Sequence, residues 1–291
     1  MVEYMLGSYL VKTGRMDKRQ LSLVLDKMDS VRVKLGLIAV SEGFMTFTQA
    51  EEVNTLQSVM DKRFGDIAVE KGYLTEEQVG KLLRQQGNTY LTFAQTLVDE
   101  GIAKLEEFDE LLEQFRKDGG YTISELDAIR TDDVDAIVPI MMQDEMGSLT
   151  DLVGTAIRTV IRLIDRHACL EQAIECKVDS FAPASLQELQ MQDGSEYSFF
   201  TEDDGGLLEL ASFFGQMDFE KLDEDALDSA AELLNCINGL YASAQSKAGR
   251  VIELMPPVYS NEEVKLSAAH KYLVPFIVEG KRFYFGVAKT N

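Results

Sequence analysis

The chain has 291 residues, 45% of them hydrophobic, and carries a formal net charge of −22 from 28 basic and 50 acidic residues. That length favours two cores over one, and that charge repels a phosphate backbone, which argues against a non-specific nucleic-acid binder. Residues 1–120 hold 15 basic and 20 acidic residues, leaving 13 and 30 for the rest, so a partner of the second half is expected to present basic or metal-bearing surface.

The first half repeats. Gly7, Gly36, Gly65 and Ala94 stand 29 residues apart, and so do Gly14, Gly43, Gly72 and Gly101. Aligned on these, the chain reads LGSYLVKTGRMDKRQLSLVL, LGLIAVSEGFMTFTQAEEVN, FGDIAVEKGYLTEEQVGKLL and FAQTLVDEGIAKLEEFDELL. A fixed period of this length marks stacked supersecondary units. Each copy predicts a short helix, a glycine that ends it in a left-handed conformation, and a second helix. Thr75 with Gln78 has the spacing of a capping box. Residues 1–118 are therefore expected to form four helix-turn-helix units, whose plainest role is a scaffold for partner contacts.

These copies resemble the MshEN and type II secretion ATPase N-terminal domains, in which paired motifs beginning RLG and ending in Gln recur every 29 residues. Copy two runs from Lys34-Leu35-Gly36 through Gly43 to Gln57. After the spacer 58–62, copy three runs from Arg63-Phe64-Gly65 through Gly72 to Gln86. Copies one and four depart from the pattern, with Met5 and Thr92 in the arginine place and Met28 and Phe115 in the glutamine place. The resemblance implies cyclic di-GMP as ligand, with phosphate contacts from Arg63 and Lys34, backbone approach at Gly36 and Gly65, and polar contacts from Gln57 and Gln86. Lys34 cannot make the bidentate contact of an arginine, and Phe64 replaces leucine.

Gly119-Gly120 closes the repeats, and residues 119–147 read as a helical connector broken by Pro139, with DEMGS at 144–148 as a soft point. A second domain is expected over 148–291. It opens with a helix, SLTDLVGTAIRTVIRLIDRH, whose Arg158, Arg162 and Arg166 are expected to pair with internal acids. EYSFFTE at 196–202 has strand composition, and DDGGLLELASFFGQ reads as strand-to-helix, with Asp203 or Asp204 as cap. A long helix is predicted from Glu224 to Lys247. RVIELMPPV and KRFYFGVAK are expected as strands joined through LVPFIVEG, with a turn at Glu279-Gly280. The fold class is α+β, a helical tandem-repeat module followed by a domain with a mostly antiparallel sheet.

On the long helix at 100° per residue, Ala226, Leu227, Ala230, Leu233, Leu234, Ile237, Leu240, Tyr241 and Ala244 fall on one face. Asp228, Glu232, Asn235, Gly239, Ala242 and Ser246 form a narrow stripe opposite. Asparagine weakens helices, so two in AELLNCINGL need a reason. Asp228 precedes Glu232 with three residues between, Glu232 precedes Asn235 with two between, and Pro256-Pro257 follow. LDEDALDSAAELLNCINGLYASAQSKAG resembles the CheC, CheX and FliY phosphatase family over about residues 148–291. The single Glu-x-x-Asn is the CheX-like form.

The resemblance implies hydrolysis of the aspartyl phosphate of a CheY-like receiver domain. Asn235 would orient the attacking water and Glu232 would pair with the receiver's lysine, with Mg2+ supplied by the receiver. A non-catalytic adaptor that binds a receiver, and a cyclic di-GMP receptor, are the alternatives. A homodimer is expected, with KRFYFGVAK as an edge strand. Cys169, Cys176 and Cys236 form no CxxC pair and are expected to be reduced, mostly buried thiols. His167 and His270 form no ligand pattern, so no intrinsic metal or cofactor is expected. No secretory signal opens the sequence and no apolar run approaches the ~20 residues of a membrane span, so a cytoplasmic protein without membrane partners is expected.

Overall fold

A computed structural model describes residues 1–60, 62–142 and 147–290. Most of the expected soft point at 144–148, and residue 61 of the spacer, lie outside them. The chain divides into two compact units, Val2–Asp132 and the residues from Asp133 on.

In the first unit each copy folds as a helix pair. The pairs are α1 (Val2–Lys12) with α2 (Lys18–Met28), α3 (Leu35–Ser41) with α4 (Phe47–Met60), and α5 (Phe64–Glu70) with α6 (Glu76–Arg84). The fourth is α7 (Thr89–Asp99) with a 3-10 turn leading into α8 (Phe108–Asp118). The bends are made by Gly14, Gly43, Gly72 and Gly101, whose φ values lie between 67° and 73°, where a Cβ is strained. Asp17 with Gln20 and Thr75 with Gln78 close capping boxes on α2 and α6. The other repeated glycine lets the helices approach. A Cβ on Gly7 would stand 2.4 Å from Leu21, and one on Gly65 would stand 2.9 Å from Val79.

The copies close on one another. Tyr9 of copy one donates to Asp118 of copy four at 2.7 Å and lies edge-on to Phe115 at 5.4 Å, while Lys27 pairs with Glu100 at 2.7 Å. The first part of the expected connector belongs to this unit. It forms α9 (Ile123–Thr131), whose Arg130 lies over the Tyr90 ring at 5.1 Å and donates to Ser41 Oγ at 3.0 Å.

The second unit opens with α10 (Val134–Met142), which contains Pro139, and α11 (Ser148–Leu163). Arg158 pairs with Asp135. The helix expected to reach His167 stops at Leu163, because the Asp165 carboxylate turns to accept from the backbone N–H groups of His167 and Glu279 at 2.8 and 3.0 Å. Short strands follow, β1 (Cys169–Leu170), β2 (Ile174–Glu175) and β3 (Ser180–Phe181), then β4 (Ala184–Met191) and β5 (Gly194–Glu202). Next come α12 (Gly206–Gly215), α13 (Glu224–Lys247), β6 (Glu253–Leu254), β7 (Val258–Ser260), β8 (Val264–Lys265), β9 (His270–Val278) and β10 (Lys281–Lys289).

Neither Asp203 nor Asp204 caps α12. Gly205 stands at the cap with φ 81°, the Glu202 carboxylate takes its N–H at 2.8 Å, and Asp203 is drawn into an ion pair with Arg282. LVPFIV is not a connector but the body of β9. Glu279 and Gly280, with φ of 49° and 73°, form the two-residue hairpin into β10.

The main sheet is antiparallel in the order β1-β9-β10-β5-β4-β6, with β2 also on β9, β7 also on β4, and β3-β8 as a separate pair. The fold is α+β, as expected. The carboxy-terminal strand is nonetheless central, bonded to β9 and β5, so KRFYFGVAK offers no free edge for a homodimer. Phe200, Phe276, Phe283 and Phe285 pack with ring centroids 5.5–5.7 Å apart. On β5 these alternate with Phe199, which packs with Phe181, Val264 and Leu266 in a second apolar cluster. Gly286 is required opposite Phe199, whose ring would lie 2.0 Å from a Cβ there. No helix among the described residues is long and apolar enough to cross a membrane.

Candidate functional site on the long helix

Asp223 caps α13 by accepting from Ala226 N–H at 3.3 Å, and the helix then runs 24 residues against β4 and β5. Ala226, Leu227, Ala230, Leu233, Leu234, Ile237 and Tyr241 are buried. The face differs from the expected one at its far end: Leu240 is 43% exposed and Ala244 is exposed, whereas Asn238 is fully buried. The reason lies in the strands beneath. Gln187 of β4 and Ser198 of β5 are cross-strand partners, both buried, and both point at this helix. A buried carboxamide must find its hydrogen bonds, and Asn238 finds them here. Its Nδ2 donates to Gln187 Oε1 at 2.7 Å and to Ser198 Oγ at 2.8 Å. The same Gln187 donates from Nε2 to Met255 O at 2.8 Å and to Asn235 Oδ1 at 2.7 Å.

Glu232 and Asn235 are one helical turn apart on the same side. Glu232 is exposed and has no hydrogen-bond or ion-pair partner among the described residues. Asn235 is half-buried, its oxygen turned in to Gln187. Beyond them Gly239 leaves open space, with nothing within 4 Å of where a Cβ would sit. Asp228, one turn earlier, accepts from Tyr259 of β7. That hydrogen bond, then the Asp228 charge, pushes the phenol's pKa up. Val258 beside it is 53% exposed. Among the described residues the stripe thus offers an unpaired carboxylate and an anchored carboxamide beside the open space at Gly239. It can pair with a cation and hold one small polar molecule by a hydrogen bond.

The thiols do not follow expectation. Cys169 is buried, Cys176 half-buried and Cys236, next to Asn235, exposed. A second buried cluster lies toward the far end of α13, where Tyr241 donates to Glu196 at 2.9 Å and Arg250 pairs with Glu196 at 3.5 Å.

The residues singled out in copies two and three are placed as follows. Lys34 stands at the N-cap position of α3 without a capping side-chain bond and pairs with Asp99 at 3.1 Å, and its backbone N–H donates to Gln95 at 3.2 Å. Arg63 stands at the N-cap position of α5, its side chain exposed and without a partner among the described residues. Leu35 is half-buried, Phe64 buried, and Gly43 and Gly72 are exposed at their bends. Gly36 is buried against Phe64, 3.1 Å from a built Cβ, and Gly65 against Val79. Gln86 donates to Val33 O at 2.9 Å, which brings the end of copy three to the start of copy two, and Gln57 donates to Lys62 O at 3.4 Å.

No protein-family model matches the chain, and no curated protein matches it. Among solved structures, a CheC-like superfamily protein from a Shewanella species is similar at 14% identity and TM-score 0.43, covering 50% of this chain and 99% of its own. A chemotaxis protein CheX from Desulfovibrio desulfuricans aligns at 12% identity and TM-score 0.42, over 50% of this chain and 99% of its own. The CheX-CheY-BeF3-Mg2+ complex from Borrelia burgdorferi aligns at 14% identity and TM-score 0.42, over 50% and 100%.

Proposed function

We propose that the second unit is a signalling phosphatase that hydrolyses the aspartyl phosphate of a CheY-like receiver domain. The observation that carries this reading is the pairing of an exposed Glu232, without a partner among the described residues, with an anchored Asn235 one turn away on an uncrowded helix face. The Glu-x-x-Asn spacing and the residues around it, which resemble the CheX form, support the same assignment. The partner is of the class named in the Borrelia burgdorferi complex.

An acyl phosphate is already activated, so the chemistry needs little beyond placement of a water. Glu232 pairs with the receiver's lysine and sets the distance. Asn235 enters beside the phosphoryl group and holds the water in line with phosphorus. The water oxygen bonds to phosphorus, and the acyl oxygen departs with the bonding pair as the receiver's aspartate. The proton leaves with inorganic phosphate. Magnesium belongs to the receiver and lowers the charge on the phosphoryl oxygens. The test is phosphate release from a panel of phosphorylated receivers. The wild type should exceed Asn235→Ala on at least one of them, and equal rates on all would remove the enzyme reading in favour of an adaptor.

A second reading concerns the repeats. Arg63 at the start of α5, exposed and without a partner among the described residues, favours an anionic ligand on the first unit, with cyclic di-GMP as the expected one. Lys34 is committed to Asp99 and Gly36 and Gly65 to helix packing, so Arg63 is the principal phosphate contact in this reading. Calorimetry of the full chain with cyclic di-GMP near 100 μM (binding of roughly −5.5 kcal/mol) should give heat that Arg63→Ala removes. No heat beyond dilution would leave the unit a protein-contact scaffold.

A further inference from the structure

The orientation of the Asn235 carboxamide is set from beneath. Met255 O can only accept, and Gln187 Nε2 lies 2.8 Å from it, so the nitrogen end of the Gln187 amide is fixed on that side. Its oxygen end is fixed as well, by Asn238 Nδ2 at 2.7 Å. Asn238 is held in turn by Ser198, which donates to its Oδ1 at 2.9 Å and accepts from its Nδ2 at 2.8 Å. The remaining N–H of Gln187 points at Asn235 across 2.7 Å, a separation that suits an acceptor. Asn235 therefore turns its oxygen inward and its amide nitrogen outward, and Nδ2 has no partner among the described residues.

We propose that Gln187 is the positioning residue of this site: by taking the Asn235 oxygen it makes the outward face of Asn235 a hydrogen-bond donor. This rests on the phosphatase reading. An outward N–H can donate to a lone pair of the water or to a phosphoryl oxygen, both electron-rich, and it cannot take a proton from the water. Asn235 then acts by alignment, with its conformation fixed before the receiver arrives. Gln187 reaches the reaction only through Asn235.

The orientation is read from the full-length wild type by nuclear magnetic resonance of the side-chain amides. Gln187 N–H protons should be protected from exchange with water and those of Asn235 unprotected, with Asn235 χ1 couplings of a single rotamer. Protected Asn235 protons, or averaged couplings, would overturn the proposal without any use of activity. In Gln187→Met the Asn235 couplings should average. Turnover should then fall about tenfold to a hundredfold, the scale of a small misplacement, with KM within about twofold.

The decisive kinetic arm is the Asn235→Ala background, where adding Gln187→Met should cause no further loss. A further loss there would show that Gln187 does not act through Asn235. Asn235→Asp keeps the inward acceptor and replaces the outward donor, so it should fold like the wild type and lose turnover; retained turnover would refute the outward donor. Wild type without turnover on any receiver would remove the phosphatase reading, while the exchange data would still decide the orientation.

Discussion

Asn235 belongs half to the surface and half to the buried network, and its substitution should register in both. Asn235→Ala leaves one N–H of Gln187 without an acceptor, which costs about 1–3 kcal/mol for a buried donor. In the phosphatase reading it also removes the water-aligning group, worth roughly a hundredfold to a thousandfold in turnover on the scale of a lost oxyanion-hole donor. Denaturant titration beside phosphate-release kinetics should show a modest loss of stability and a far larger loss of rate. Glu232 and Asn235 could be read directly because their spacing lies within one helical turn. Gln187 and Ser198 could not, since strand pairing brings them under the helix from 48 and 37 residues before Asn235. Asn238 illustrates a subtler failure. Apolarity alone assigns the buried position to Leu240, and only the polar pair below explains why Asn238 lies inside.

At the scale of single elements, two glycines make opposite predictions. Gly239 has open space above it, so Gly239→Ala should raise stability by about 0.5–1 kcal/mol through helix propensity, seen as a higher Tm. In the phosphatase reading Gly239→Phe should fold equally well yet weaken receiver docking, measured by titration with a beryllofluoride-treated receiver. Gly65 is the reverse case. Gly65→Ala drives a Cβ to 2.9 Å from Val79, and overpacking of this kind costs about 1–3 kcal/mol. Val79→Ala in the same chain should recover most of that loss, an interaction that a double-mutant cycle isolates. The helix pairs could be read because glycine recurs at a fixed period and a left-handed bend demands it. β4 could not. ASLQELQM is rich in helix formers, and its strand conformation is imposed by pairing with β5 on one side and β6 and β7 on the other. KRFYFGVAK reads as a strand from its composition, but the central place of β10 is a property of strand order, which composition does not encode.

Across the whole first unit, the link between copies one and four makes a prediction of its own. Burial, then the hydrogen bond to Asp118, pushes the Tyr9 phenol from 10.0 to about 12. A phenol with a raised folded pKa stabilises the fold while protonated. That contribution is whole below pH 10 and disappears as pH rises through about 12. Tyr9→Phe should flatten this alkaline limb in unfolding experiments between pH 9 and 12, and an unchanged limb would show that the link does not hold the unit shut. The same closure fixes how many copies the unit can hold. In an open solenoid each repeat touches only its neighbours, so the array tolerates lengthening or shortening by whole periods. Here the first copy is bonded to the last, through Tyr9 with Asp118 and Lys27 with Glu100. Inserting or excising a 29-residue copy would preserve every local signal in the sequence and still pull those partners out of reach, so four is a geometric constant of this unit, in the way that the number of staves is for a barrel.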